Sequence, residues 1–219
     1  MRPHIQAVTR RTYLPLHCLT LLLIWLTACD QIAYRQMNEP GREAWQQPKA
    51  VVEALHIPPG ARIADLGAGG GYFTFPLAEA VGPEGHVYAV DTEDESLRFI
   101  EQNAARRGGM PRQVTLILAT PNNPHLPTSG VDLIFTCNTY HHLSDRVSYM
   151  QALAGFLRPN GRIAIIDFKE GSWLGSLFGH ATSKDMVRQE MKAAGYRLIN
   201  NFDFLPKQHF QVFSPTTHE

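Results

Sequence analysis

The sequence predicts an α/β protein built on a mostly parallel sheet, and three observations carry that expectation. A short apolar run, Ile63 to Leu66, ends in the alternating glycines Gly67, Gly69 and Gly71. A helical pattern follows at once, with Tyr72, Phe73, Pro76, Leu77, Ala80 and Val81 on one face and Gly82 at its end; a second apolar run, Val87 to Val90, then stops at Asp91. Strand, glycine turn, helix, strand and acid make one half of a nucleotide-binding α/β sheet. Finally, the β-rich runs 197–204 and 208–213 are joined only by Leu205-Pro206-Lys207. So short a connection implies an antiparallel hairpin at the end of the chain.

The glycine spacing narrows the ligand. A dinucleotide site reads Gly-x-Gly-x-x-Gly, but counting from Gly67 and Gly69 the third place is Tyr72. That departure, with the terminal hairpin, disfavours a nicotinamide-dependent oxidoreductase. The pattern present, Asp65-x-Gly67-x-Gly69-x-Gly71 followed by Asp91, resembles the class I S-adenosylmethionine-dependent methyltransferases. The resemblance covers Glu43 to Phe213. It implies a Rossmann-like, seven-stranded, mostly parallel sheet with an antiparallel last strand, and S-adenosyl-L-methionine as cofactor. Donor binding is expected from Asp65, Gly67, Gly69 and Gly71 at the first turn and from Asp91 on the ribose, with Tyr72, Thr92 and Asn138 as further cofactor-binding candidates.

The first 28 residues read as a leader. They take three of the 20 basic side chains (Arg2, Arg10, Arg11) and none of the 20 acidic ones, leaving 17 against 20. That mildly acidic balance carries no nucleic-acid footprint. A basic stretch to Arg11, an apolar segment from Leu14 to Leu26 and the small residues before Cys29 are the three parts of a secretory signal. Leu26-Thr27-Ala28-Cys29 also resembles the lipobox of bacterial lipoproteins, which implies acylation of Cys29 and anchorage to a membrane facing the periplasm or exterior. Asp30 resembles an inner-membrane retention signal, and Arg10-Arg11 loosely resembles a twin-arginine motif. About thirteen apolar residues is short for a span. Translation from Met37 is the competing reading and would leave the protein cytoplasmic. On the leader reading residues 29–41 are a linker and 42–219 the catalytic domain. Cys137 is then the one cysteine beyond the signal that is not acylated, so no intrachain disulfide is expected; a buried thiol is its plainer reading.

The remaining elements follow in order. Trp45 either packs or forms part of a lid. Pro48 suits a helix first turn, with Val51, Val52 and Leu55 inward. Thr92-x-x-Glu95 reads as a capping box opening a helix with Leu97, Ile100 and Ala104. Val114 to Leu118 is the third strand. The loop after it is where the family often reads adenine; here it offers Ala119 and Thr120, favouring backbone contacts. Val131 to Cys137 is a fourth, continuously apolar strand. Ser144 is expected to cap a helix carrying Val147, Met150, Leu153 and Leu157. Pro159-Asn160-Gly161 turns into a fifth strand, Arg162 to Ile166, that ends in Asp167; the turn resembles one widespread in these enzymes. Gly171 to His180 is either part of the acceptor site or a surface loop. Thr182-x-x-Asp185 is expected to cap the next helix.

Asn138-Thr139-Tyr140-His141-His142 places polar, aromatic and imidazole groups at a strand's carboxyl end, where open α/β sheets bind ligands. Tyr140 and His141 are the catalytic candidates; Tyr140, His142 and Asp167 are candidates for contact with the acceptor. His141 or His142 is a candidate general base. The alternative is that one caps the next helix and the other packs. No third ligand stands at metal spacing. Methyl transfer needs alignment more than a nucleophilic residue, so the acceptor, expected to be a small molecule, is not written in the motif. A non-catalytic, membrane-tethered scaffold that kept the fold is the alternative function.

Overall fold

The computed structural model describes residues 41–170 and 182–216. The leader with Cys29, the linker up to residue 40 and the segment Gly171 to His180 lie outside the described residues. Among the described residues no helix is long and apolar enough to cross a membrane.

The chain runs α1 (Arg42–Gln46), α2 (Pro48–Ala54), β1 (Arg62–Leu66), α3 (Thr74–Val81), β2 (His86–Asp91), α4 (Asp94–Arg106), β3 (Val114–Leu118) and β4 (Val131–Cys137). A 3₁₀ turn at Tyr140–His142 leads to α5 (Arg146–Leu153), β5 (Leu157–Phe168), α6 (Lys184–Ala193), β6 (Tyr196–Phe202) and β7 (Gln208–Pro215). The seven strands form one sheet in the order β3-β2-β1-β4-β5-β7-β6. Strands β1 to β5 pair in parallel, and β7 runs antiparallel between β5 and β6. This is the expected class I methyltransferase fold.

Alternation along the strands explains the layers, since successive side chains leave opposite faces. Ile63, Val87, Ala89, Leu133 and Phe135 point to the face covered by Val51 of α2 and Leu55 just after it, Leu77 and Val81 of α3, and Leu97 and Ile100 of α4. Ala64, Val90, Ile134, Ile163 and Ile165 point to the other face, against Met150 and Leu153 of α5 and Val187 and Met191 of α6. Each fully buried side chain of Ile or Phe size stabilises the fold by about 2 kcal/mol.

Several local expectations shift by one or two residues. The helix after the glycines begins at Thr74, not Tyr72. Thr92 does not cap: the N-cap of α4 is Glu93, without a side-chain cap, and the Asp91 carboxylate instead accepts from Glu93 N–H at 3.0 Å. Asp145 rather than Ser144 caps α5, accepting from Ser148 N–H, and Ser183 rather than Thr182 caps α6, accepting from Met186 N–H. In each pair the neighbouring residue also carries an oxygen of suitable length, and the direction of chain entry selects between them. Leu157 leaves the α5 pattern and pairs with Val131, after a 3₁₀ turn at Ala154–Phe156.

Candidate active site

The sheet order reverses direction between β1 and β4, and the crevice outside the carboxyl ends of strands at such a switch point is where ligands bind. The turn after β1 lies there. Gly67 N–H and Ala68 N–H continue the ladder to Val90 C=O at 2.8 and 3.0 Å. Gly67 holds φ +74°, and a Cβ built on it would stand 2.2 Å from Thr139 Oγ1. The turns after β1 and β4 therefore press on each other at a point that only glycine fits. Gly69 N–H donates to Asp91 Oδ2 at 2.8 Å, so the acid at the end of β2 ties the glycine turn down. A carboxylate has about four acceptor positions; Asp91 uses two and is half-buried, which leaves acceptor capacity for a diol. Gly71 closes the turn through its N–H to Ala68 C=O at 2.9 Å.

Asp65 shares the face of Ile63, and its carboxylate points away from the strand edge toward α3. There Thr74 Oγ1 donates to Asp65 Oδ2 at 2.6 Å. Burial pushes this carboxyl up to about 7; the Thr74 hydrogen bond pulls it down and the Asp91 charge adds to the rise. Between the ordinary carboxylate value of about 4 and pH 7 the folded chain therefore holds a proton that the unfolded chain has lost. The stability from that proton is complete below about pH 4 and is lost as pH rises through 7. Asp65→Asn is expected to flatten the melting temperature between pH 4 and 8 and to exceed the wild type at pH 8. A wild-type profile that is already flat over that range overturns this reading of Asp65.

The other candidates divide. Tyr72 lies against the guanidinium of Arg42, whose Cζ is 3.9 Å from the ring centroid, and its buried hydroxyl has no hydrogen-bond partner. Asn138 stands at φ +59°, and its Oδ1 accepts from Gln208 Nε2 at 2.5 Å. Thr92 is exposed at the end of β2, and His142 is exposed with its ring 4.1 Å from that of His141. Tyr140 lies in the core. It is 0% exposed in the core beneath α5 and α6, and its hydroxyl donates to Glu190 Oε2 at 2.7 Å. Arg146 holds the same carboxylate through two nitrogens, at 2.7 and 2.8 Å. Tyr140 is thus packed beneath α5 and α6, with its hydroxyl held by Glu190.

Asp167 lies at the end of β5. It is fully buried, and its carboxylate accepts from His141 N–H at 3.1 Å, from His141 Nδ1 at 2.7 Å and from Phe168 N–H at 2.9 Å. It orients His141. The register explains the meeting: Cys137 pairs with Ile166, so the turn after β4 lies beside the end of β5.

Four polar residues at this edge were not singled out from the sequence. In α1, Gln46 is 0% exposed and donates to Cys137 Sγ at 2.9 Å and to Gln208 Oε1 at 3.1 Å; Arg42 donates to Gln46 Oε1. Gln208 continues the chain to Asn138, and Glu190 anchors Tyr140. Gln46 and Gln208 are 162 residues apart, and no local pattern signals such a pairing. Trp45 packs beside Phe168, 6.0 Å between centroids, with Lys207 Nζ 5.1 Å from its ring. Burial pushes the Cys137 thiol up to about 12, with the Arg42 charge and the Gln208 hydrogen bond acting against it; the thiol is structural.

The family model of a methyltransferase domain matches residues 57–204. The chain belongs to that methyltransferase-domain family. Its fold is similar to that of a SAM-dependent methyltransferase from Aquifex aeolicus, with a TM-score of 0.77 and 25% identity over 83% of this chain and 96% of that one. In sequence it is similar to an aklanonic acid methyltransferase of Streptomyces sp. (strain C5), 30% identical over 116 residues, 52% of each chain. It is also similar to a nocamycin O-methyltransferase of Saccharothrix syringae, 32% identical over 107 residues, 49% of this chain and 38% of the relative. The chain spans about half or less of the length of these curated relatives.

Proposed function

We propose that this family member transfers a methyl group from S-adenosylmethionine to a small-molecule acceptor. The observation that carries the reading is the Asp91 carboxylate, bound to Gly69 N–H at the switch point with acceptor capacity left over. When bound, S-adenosylmethionine supplies a methyl group already activated by its sulfonium charge. The glycine turn admits the nucleoside close to the backbone, and Asp91 accepts from the ribose hydroxyls. Leu118, 50% exposed and paired with Asp91 across β2 and β3, gives apolar surface on the base side. His141, held by Asp167 through Nδ1, is the group placed to take a proton from an acceptor through Nε2. The orphaned Tyr72 hydroxyl fits a ligand with further acceptor groups.

Calorimetry of the full chain in mild detergent with S-adenosylmethionine tests donor binding. Saturable binding is expected, and Asp91→Ala should weaken it on the order of 10- to 100-fold, the loss of hydrogen bonds to a charged acceptor. Absence of saturable binding sinks the proposal.

The sequence pattern before Cys29 supports a lipid tether, with the enzyme facing the periplasm or exterior. Mass spectrometry of the native N-terminus tests it: an acylated Cys29 is expected, and a chain starting at Met37 refutes the tether. Export away from the cytoplasmic donor pool favours a second reading, a scaffold that keeps the fold without turnover. Labelled methyl transfer into a membrane extract separates the two, since a scaffold leaves the extract unlabelled.

A further inference from the structure

Helix α1 lies across the crevice at the switch point. Gln46 fastens it to Cys137 at the end of β4 and to Gln208 at the start of β7, while Trp45 packs on Phe168 at the end of β5. This docking carries the Arg42 guanidinium to the ends of β1 and β4, where its charge acts on Asp65 and Cys137. Arg42 is half-buried, yet among the described residues it makes no ion pair and its hydrogen bond is to the neutral amide of Gln46. A guanidinium withdrawn from water without an anion is costly. The adjoining Tyr72 hydroxyl is buried with no partner, which is also costly. A cation without an anion and a hydroxyl without an acceptor thus meet at one spot, directly after the glycine turn.

The missing group is an anion that accepts from both. The donor's one carboxylate is on its amino-acid end, and Arg42 and Tyr72 stand at the ends of β1 and β4, the two strands that follow β2 and its ribose-binding candidate Asp91 in the sheet. We propose that Arg42 and Tyr72 form the receptor for the α-carboxylate of the donor's methionine moiety, and that α1 is the strap that delivers Arg42 to it. Guanidinium and phenol hydroxyl are the donor types that suit a carboxylate. The inference rests on the donor-binding reading and extends it to a part of the chain outside residues 57–204, the extent of the family model.

Two ligands separate the parts of the site. S-adenosylhomocysteine carries the carboxylate, whereas 5′-methylthioadenosine keeps the nucleoside and lacks the amino acid. Both are titrated calorimetrically into the full chain, its Arg42→Met and Arg42→Lys variants and its Tyr72→Phe variant. Arg42→Met should weaken S-adenosylhomocysteine 10- to 100-fold, the range for hydrogen bonds to a charged group, and leave 5′-methylthioadenosine within twofold. Arg42→Lys should fall between, since it keeps the charge and loses the fork. Tyr72→Phe should cost about 3- to 10-fold on the first ligand only. Retained 5′-methylthioadenosine binding also reports that each variant is folded. Equal losses on both ligands, or an Arg42→Met variant that binds S-adenosylhomocysteine like the wild type, overturn the receptor. A wild-type chain that binds neither ligand instead defeats the donor reading itself.

Discussion

Gly67→Ala should abolish detectable donor binding and lower the melting temperature by about 10 °C. Two independent costs meet at this residue. Its φ of +74° lies in the left-handed region, which costs an L-residue about 1–2 kcal/mol. The added methyl would also stand 2.2 Å from Thr139 Oγ1, 2.4 Å from Cγ2 and 2.8 Å from Cβ. Because Thr139 Cβ is among the atoms met, rotating the side chain does not relieve the overlap; the turn after β4 must move. Overpacking of that kind costs about 1–3 kcal/mol, and a domain of this size melts about 2–4 °C lower for each kcal/mol. The displaced turn carries Asn138 and His141, so both sides of the crevice are disturbed. Gly60→Ala is the matched control: φ is +83° and nothing lies within 4 Å of the added carbon. It should show the backbone cost alone, a shift of a few degrees, with donor binding intact. Thermal melts and titrations of the two variants side by side decide the matter. Similar behaviour of the pair removes the close approach of the two turns as the reason for glycine here.

The parts of this site that were legible in the sequence are those made by neighbours in the chain. Gly67, Gly69, Gly71 and Asp91 lie within one strand–helix–strand unit, where spacing alone fixes which residues reach the strand ends. The terminal hairpin was legible for the same reason, its connection being too short for any other pairing. The direction of Tyr140 was not legible because it depends on a backbone detail. Asn138 takes φ +59°, and the turn that follows swings Tyr140 under α5 and α6 while His141 stays at the strand edge. No composition or periodicity encodes that rotation. Gln46 was missed because its partners Cys137 and Gln208 lie far along the chain, 91 residues away in the first case, and Arg42 was missed with it because the docking of Gln46 is what places it. A buried polar side chain becomes informative only once its burial is known. The caps of α5 and α6 slipped by one residue because Ser144 and Asp145, like Thr182 and Ser183, offer oxygens of similar reach.

His141→Gln should lower methyl transfer by a factor on the order of 10²–10⁴, the contribution typical of a positioned general base. Donor affinity should stay within about twofold of wild type, because the donor is held by the other strands, at Asp91 and the turn after β1. The basis is the geometry around Asp167. Its carboxylate is inaccessible to solvent and receives both the backbone N–H and Nδ1 of the same histidine, at 3.1 and 2.7 Å. Two bonds from one anchor fix the ring plane and place the proton on Nδ1, so Nε2 carries the lone pair. Only 7% of the His141 side chain is exposed, which suits a base that meets its substrate in a partly dry crevice. Asp167→Asn keeps an acceptor for Nδ1–H but sets an NH₂ against the His141 backbone N–H, so it should lose both rate and thermal stability. The split between turnover and binding is the decisive readout. Transfer of label from donor to membrane extract is compared with donor affinity for the same His141→Gln protein. Turnover within threefold of wild type would show that the acceptor reacts without losing its proton to His141, leaving alignment alone as the chain's contribution. A parallel loss of donor affinity would instead make His141 part of the frame that shapes the donor site.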